Sequence, residues 1–426
     1  MQRICMDRLL AWKEDPERKP LILKGARQVG KTWLMKEFGR LYYESTAYFN
    51  FDEEEELKAL FEQTKNPQRL IELLTMLHGA TIRPGETLLI FDEIQECPAA
   101  LNSLKYFCEE ANEYHVVAAG SLLGTYLSQQ AYPVGKVNML AIYPLTFEEF
   151  LQAANEKLAN IYRELKLDEA IPEIFHSQLL DAYNFYLIIG GMPECVNMWC
   201  KYRDPARVTR AQREILALYE NDITKHNSKI NAARVLLVYR SMVAQLSKEN
   251  KKFSYGTVKK GARAREFEEA IEWLVSAGIV QRIHNVSIPG YPLKSYEMDS
   301  HFKLYFLDVG LLKAMGEVEN EAILFDKDFT FKGALAENFV LQQFLPSFST
   351  TPHYYSPEPR MEIDFLLQYQ AEIIPIEVKA GTTKHATSFK RYLEKYSPTT
   401  AIRYSKRNFR QEGRFKNVPL YMAGRW

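Results

Sequence analysis

Short apolar runs separated by amphipathic stretches dominate the first third of the chain. Leu21-Ile22-Leu23, Leu88-Leu89-Ile90-Phe91 and His115-Val116-Val117-Ala118-Ala119 have the length and continuity of strands buried on both faces, whereas Trp33-Leu34-Met35-Lys36-Glu37-Phe38 has helical spacing. Their alternation predicts an α/β domain with a parallel sheet and crossover helices over residues 1–150. Over 151–230 the apolar positions turn helical, starting with Phe147, Phe150 and Leu151 and continuing through Leu179, Leu180, Tyr183, Tyr186 and Leu187. Gly190-Gly191-Met192-Pro193 interrupts them and requires a turn, so this stretch reads as a helical lid and connector.

Residues 231–320 carry a different pattern. Helices are predicted over 232–246 and 267–277, the second closed by Gly278, with a short strand at Phe253-Ser254-Tyr255 between them. Ile279-Val280-Gln281-Arg282-Ile283, a Pro289-Gly290 turn and Leu304-Tyr305-Phe306-Leu307 then give the strand-turn-strand of a wing, so the region reads as a winged helix. Residues 321–426 form a last α/β pattern, with a helix around Glu337 and strands over 361–367 and 373–379.

Composition sharpens this division. A chain of 426 residues, 46% hydrophobic, exceeds one ordinary core. No apolar run reaches membrane-span length, and Met1-Gln2-Arg3-Ile4-Cys5-Met6-Asp7-Arg8 lacks a leader's apolar stretch, which predicts a cytoplasmic protein with no membrane partner. Cys5, Cys97, Cys108, Cys195 and Cys200 are odd in number and scattered, as reduced thiols rather than a zinc or disulfide framework would be. Lysines plus arginines equal aspartates plus glutamates at 54 each, which excludes a uniformly basic surface but not local blocks. Asp52-Glu53-Glu54-Glu55-Glu56 reads as a solvated helix start. Lys248, Lys251, Lys252, Lys259, Lys260, Arg263 and Arg265 face the single acid Glu249, and residues 384–426 are also markedly basic, as phosphate-contacting surfaces are. A winged helix also serves as a plain packing module, and both uses remain open.

The chemistry concentrates in two places. Gly25-Ala26-Arg27-Gln28-Val29-Gly30-Lys31-Thr32 lies between a strand and a helix and satisfies every fixed position of the P-loop pattern. Its glycines let backbone N–H groups face phosphate oxygens; Lys31 would reach the β/γ-phosphates of a nucleoside triphosphate and Thr32 would hold Mg²⁺. Asp92-Glu93 closes the second apolar run, the place of a Walker B pair, with Asp92 on the metal and Glu93 polarising the attacking water. Ser121, after the third run, reads equally as a γ-phosphate sensor or a helix cap. In the last domain Glu337, Asp364 and Glu377, with Lys379 on the same strand face as Glu377, could bind a second Mg²⁺ beside a lysine. The plainer reading is charged residues ending strands in an inactive domain.

Helix Glu, strand Asp and then Glu-X-Lys on the next strand resemble the restriction-endonuclease-like, PD-(D/E)XK nuclease superfamily, although Glu362-Ile363 stands where that motif's Pro would be. Nearly the whole chain resembles prokaryotic AAA+ ATPases related to the archaeal ATPases, whose core precedes a C-terminal domain of unknown function. The resemblance rests on the P-loop, Phe91-Asp92-Glu93-Ile94-Gln95, Gly190-Gly191-Met192-Pro193-Glu194, Leu304-Tyr305-Phe306-Leu307-Asp308-Val309-Gly310, and Ile363-Asp364-Phe365 with Glu377-Val378-Lys379. It departs at Gly135-Lys136, where such ATPases commonly carry Gly-Arg, and a lysine lacks arginine's planar fork.

The expectation is therefore an α/β P-loop NTPase core of AAA+ type with helical lid, winged-helix module and C-terminal restriction-endonuclease-like domain. ATP and Mg²⁺ would be its cofactors and DNA or RNA its target, with a homo-oligomer or a protein partner in addition. The alternative is a signalling ATPase that binds protein partners through a catalytically inactive C-terminal scaffold; a small-molecule kinase fits less well, since no acceptor-binding lid is evident.

Overall fold

A computed structural model describes residues 3–120, 123, 133, 135–358, 361–381 and 387–425. The chain divides into two compact units, Met1–Tyr143 with Ser276–Gly278, and Pro144–Val275 with Ile279–Trp426.

In the first unit, strands β1 (Leu21–Lys24), β2 (Ser45–Asn50), β3 (Thr87–Asp92), β4 (His115–Ala119) and β5 (Asn138–Ala141) form a parallel sheet in the order β2-β3-β4-β1-β5. Every residue of β3 and β4 is buried, which is why both read as unbroken runs rather than as alternation. Phe91 anchors one layer, its ring edge-on to Phe51 at 5.7 Å and to Phe61 at 5.6 Å. Crossover helices include Lys31–Tyr42, Pro67–His78 and Pro98–Glu110; the second is capped by Asn66, which accepts from Arg69 N, and the third starts with proline at its first position. The acidic stretch at 52–56 does open a helix, Glu55–Gln63.

The second unit begins at Pro144, a few residues before the expected bound at 150, and takes in the helix Phe147–Ala154, whose Phe147 opens the helical apolar pattern. Phe147 packs edge-on to Phe339 at 6.1 Å and its backbone N–H donates to Gln343 Oε1 at 2.7 Å. Strands β6 (Val280–Val286), β7 (Glu297–Phe306), β8 (His353–Glu358), β9 (Met361–Tyr369), β10 (Glu372–Val378), β11 (Ala401–Ser405), β12 (Arg410–Glu412) and β13 (Phe415–Pro419) form one sheet, ordered β12-β13-β11-β10-β9-β8-β6-β7. The β6–β7 hairpin joins it through the parallel bridge Asn285↔Tyr354, reinforced by Ser356 N donating to Asn285 Oδ1 at 2.9 Å. The β6–β7 hairpin and the C-terminal strands are thus one layer.

The expected strand at 253–255 does not form. Gln245 takes both backbone groups of Ser254, accepting from its N–H at 3.0 Å and donating to its carbonyl at 2.8 Å, and a helical turn starts at Tyr255. Phe253 keeps one strand-like bond, its N–H to Phe302 O, beneath stacked rings.

Asp308 explains the Gly-Gly turn. Its Oδ1 accepts from Leu311 N at 3.0 Å, capping the helix Val309–Met315, while Oδ2 accepts from Gly191 N at 2.6 Å and Gln342 Nε2 at 2.8 Å. Gly190 sits at φ +76°, and a Cβ there would lie 2.1 Å from Asp308 Oδ1. Asp308→Ala should therefore cost roughly 2–4 kcal/mol in denaturant unfolding, since three buried donors lose their acceptor. An unchanged midpoint would show that the carboxylate does not hold these segments together.

Candidate nucleotide site

The loop after β1 is shaped by backbone conformations that side chains resist. Gly25 lies at φ +156°, with Ile142 O only 2.3 Å from where a Cβ would be, and Gln28 at φ 64° and Gly30 at φ 93° turn the chain into the helix that begins at Lys31. Lys31 folds back over this loop and donates to Gly25 O and Ala26 O, each at 2.8 Å. Burial pulls its ammonium down to a pKa of about 8, with Glu93 and Asp92 opposing the shift. Arg27 and Val29 complete the loop, and Val29 O accepts from the Arg3 guanidinium at 3.0 Å.

Thr32, at the start of that helix, meets the end of β3. Its Oγ1 donates to Asp92 Oδ2 at 2.7 Å; Tyr48 of β2 donates to the same oxygen at 3.0 Å, and Asp92 Oδ1 accepts from Glu93 N at 3.1 Å. Burial first, then the Asp92 charge, raises the Tyr48 phenol well above its ordinary pKa, so it stays a donor. A hydroxyl and a carboxylate side by side, both oxygen donors, fit what a magnesium ion takes. Glu93 stands at φ 48°, ψ 43°, just beyond the strand, and its Oε2 accepts from Gln95 Nε2 at 2.6 Å. Gln95 Oε1 is buried with no partner in this structure and points at Gly120, where a Cβ would be 2.0 Å away.

Lys31, Thr32, Asp92 and Glu93 therefore come together. Tyr48 is an addition that no local motif marks, since it arrives through strand pairing, with Asn50 opposite Asp92; Gln95 belongs to the Phe91–Gln95 segment, which by itself assigns it no role. Ser121 lies outside the described residues. Lys136 is engaged elsewhere, its ammonium 2.9 Å from Glu109 on a half-exposed surface.

In the second unit Glu337, Asp364 and Glu377 are buried near one another, and Glu337 and Glu377 both count among the charges that raise Asp364. Among the described residues, however, no group of three or more His, Cys, Asp or Glu side chains is arranged to hold a metal ion, and these three are not one. Lysines stand between them: Lys251 is 2.8 Å from Glu337 and Lys379 2.5 Å from Glu377, while Asp364 Oδ2 accepts from Val378 N at 2.7 Å. Several basic residues are likewise spent internally. Lys406 pairs with Asp326 at 2.6 Å, and Arg425 donates to carbonyls of Tyr162, Arg163 and Leu165. Lys259, Lys260, Arg263 and Arg265 remain exposed, as do Lys390, Arg391, Lys395 and Arg414. Among the described residues no helix is long and apolar enough to cross a membrane.

Residues 17–151 match the family model of an AAA domain; residues 180–322 and 332–422 match two domains of unknown function, DUF8612 and DUF4143. The N-terminal unit thus carries a P-loop domain of AAA type. No curated protein matches the chain. Among solved structures it is similar to a Walker-type ATPase of Pyrococcus abyssi (16% identity, 74% of this chain and 95% of that one, TM-score 0.47). Others are the ORC1 protein of Aeropyrum pernix in complex with DNA (15%, 75% and 93%, 0.31) and AMPPCP-bound DnaA of Aquifex aeolicus (16%, 63% and 84%, 0.24).

The depressed Lys31 pKa has a measurable effect. Below it the ammonium is already charged when a triphosphate arrives; above it, binding must take up a proton. Nucleotide affinity should stay flat up to about pH 8 and then fall, approaching ~tenfold per pH unit, whereas Lys31→Arg keeps its charge and should show no such fall. Fluorescent-nucleotide titrations across this range would check it, and equal slopes for the two proteins would contradict it.

Proposed function

We propose that this chain is an ATP-binding, Mg²⁺-dependent ATPase that works as a nucleotide-controlled switch or motor on nucleic acid. The observation that carries the nucleotide half is the Thr32–Asp92 hydrogen bond at 2.7 Å, with Lys31 and Glu93 on either side of it. In this reading the 25–32 loop holds the phosphates and Lys31 gives up its loop carbonyls for the β/γ-oxygens. Thr32 and Asp92 hold the magnesium, which neutralises charge on the phosphates when bound. Glu93, oriented by Gln95, takes the proton of the attacking water. Ser121 is the proposed γ-phosphate sensor. Residues 151–230 act as lid and connector, 231–320 as a winged helix and 321–426 as a nuclease-like domain, in a cytoplasmic protein that self-associates or binds a protein partner.

Support for nucleic acid comes from Lys259, Lys260, Arg263 and Arg265, exposed at the start of the helix Ala264–Ser276. A second reading, a regulatory ATPase binding protein partners through an inactive C-terminal scaffold, is favoured by the lysines that occupy the Glu337 cluster.

Two outcomes follow for this reading. Glu93→Gln should bind ATP normally but turn it over ~10²–10³-fold more slowly, as loss of a general base does; wild-type turnover would remove Glu93 from the chemistry. Reversing Lys259, Lys260, Arg263 and Arg265 to Glu should weaken DNA or RNA binding and flatten its dependence on salt by up to ~0.9 per lost phosphate contact. An unchanged salt slope would favour the protein-partner reading.

A further inference from the structure

Glu337 has both carboxylate oxygens engaged by chain groups. Oε1 faces the Lys251 ammonium at 2.8 Å, and Oε2 accepts from Tyr305 OH at 2.9 Å with the Lys303 ammonium 4.0 Å away. Lys303 is fully buried on β7, pairs with Glu362 and lies 4.9 Å from the Tyr354 ring centroid. Lys379 closes Glu377, and Arg403 of β11 adds its field there. The carboxylates and lysines of the cluster come from the 247–254 loop, β7, the helix Lys332–Ser347, β9, β10 and the residue after it.

Lys251 is the cation that comes from furthest outside the sheet. Its backbone stands at φ 49°, a left-handed turn that a lysine adopts at a cost, and its side chain is nearly buried, unlike the exposed Lys259, Lys260, Arg263 and Arg265 of the same basic stretch. Burial opposes its charge, yet Glu337 and Asp364 carry the ammonium above the ordinary lysine pKa. Burial would likewise raise Glu337, but Lys251 and Lys303 bring it below the usual carboxylate value. Asp364 moves the other way: burial, then Glu337 and Glu377, hold it well above that value. Ammoniums taken out of water in this way are tolerated only when opposed carboxylates and hydrogen bonds compensate them.

We infer that Lys251 is an internal counter-ion standing in place of a divalent metal, so that Glu337, Asp364 and Glu377 form a metal-independent lock fastening the 247–254 loop to the C-terminal sheet. The cluster then works as a structural clasp on the module that carries the exposed bases, not as a phosphodiesterase centre. The inference is independent of the reaction at Lys31, and either can fail alone.

The test uses the nucleotide-free full chain. Hydrogen–deuterium exchange should show amides of residues 247–254 exchanging at least ~tenfold faster in Lys251→Met, with protection largely restored in Lys251→Arg. Manganese binding, followed by electron paramagnetic resonance, should show no ion whose binding is lost in Asp364→Asn. A folded Lys251→Met protein with unchanged exchange in that loop would overturn the lock. So would one manganese ion bound to the wild-type chain and lost in Asp364→Asn. Should Lys251→Met fail to fold, the manganese comparison on the wild-type chain decides alone.

Discussion

The end of β3 has to meet the start of the helix that follows β1, and β4, paired in parallel with both strands, brings them to the same edge of the sheet. Asp92 is the last residue of β3 and Thr32 the second of that helix, so one hydrogen bond ties the two connections together. The surrounding features follow from it. Tyr48 is drawn from β2 onto the same carboxylate oxygen, Glu93 is thrown just past the strand in a left-handed conformation, and Lys31 lies over the loop carbonyls. Such an edge, lined by a helix N-terminus and backbone N–H groups, is built for an anion.

The second unit solves a different problem, that of burying charge, in two ways. Asp308 is held by neutral donors, a backbone N–H from each of two segments and the Gln342 amide, which fixes a turn by direct contact. Glu337 is held by cations, with the Lys251 and Lys303 ammoniums raised by the surrounding carboxylates and Asp364 raised by burial and by its carboxylate neighbours. The first arrangement demands glycine at Gly190 for want of space. The second demands that lysines point inward from a loop and a strand.

Local sequence reveals whatever depends on local spacing. The P-loop and the Asp92-Glu93 pair are legible because each lies at the end of an apolar run whose burial on both faces leaves no ambiguity of period. The β6–β7 hairpin is legible from its two apolar runs flanking a Pro-Gly turn, though not its membership of the C-terminal sheet, since a parallel bridge between Asn285 and Tyr354 has no sequence signature. The strand expected at 253–255 fails because a side chain nine residues earlier, Gln245, competes for the backbone of Ser254. Lys251 reads as one more solvated base because its neighbours are bases, and only the fold turns it inward. A trace of the cluster does exist: Lys303 and Tyr305 share one face of β7, Glu362 and Asp364 one face of β9, and charged residues at alternate positions of apolar strands ask for partners.

The account stands most directly on ATP turnover by the full chain and by Asp92→Asn, each measured with magnesium and with a chelator in its place. It predicts turnover by the wild-type chain that requires magnesium, and none above background for Asp92→Asn although the protein still folds. Equal turnover by the two proteins, or turnover indifferent to the chelator, would contradict it.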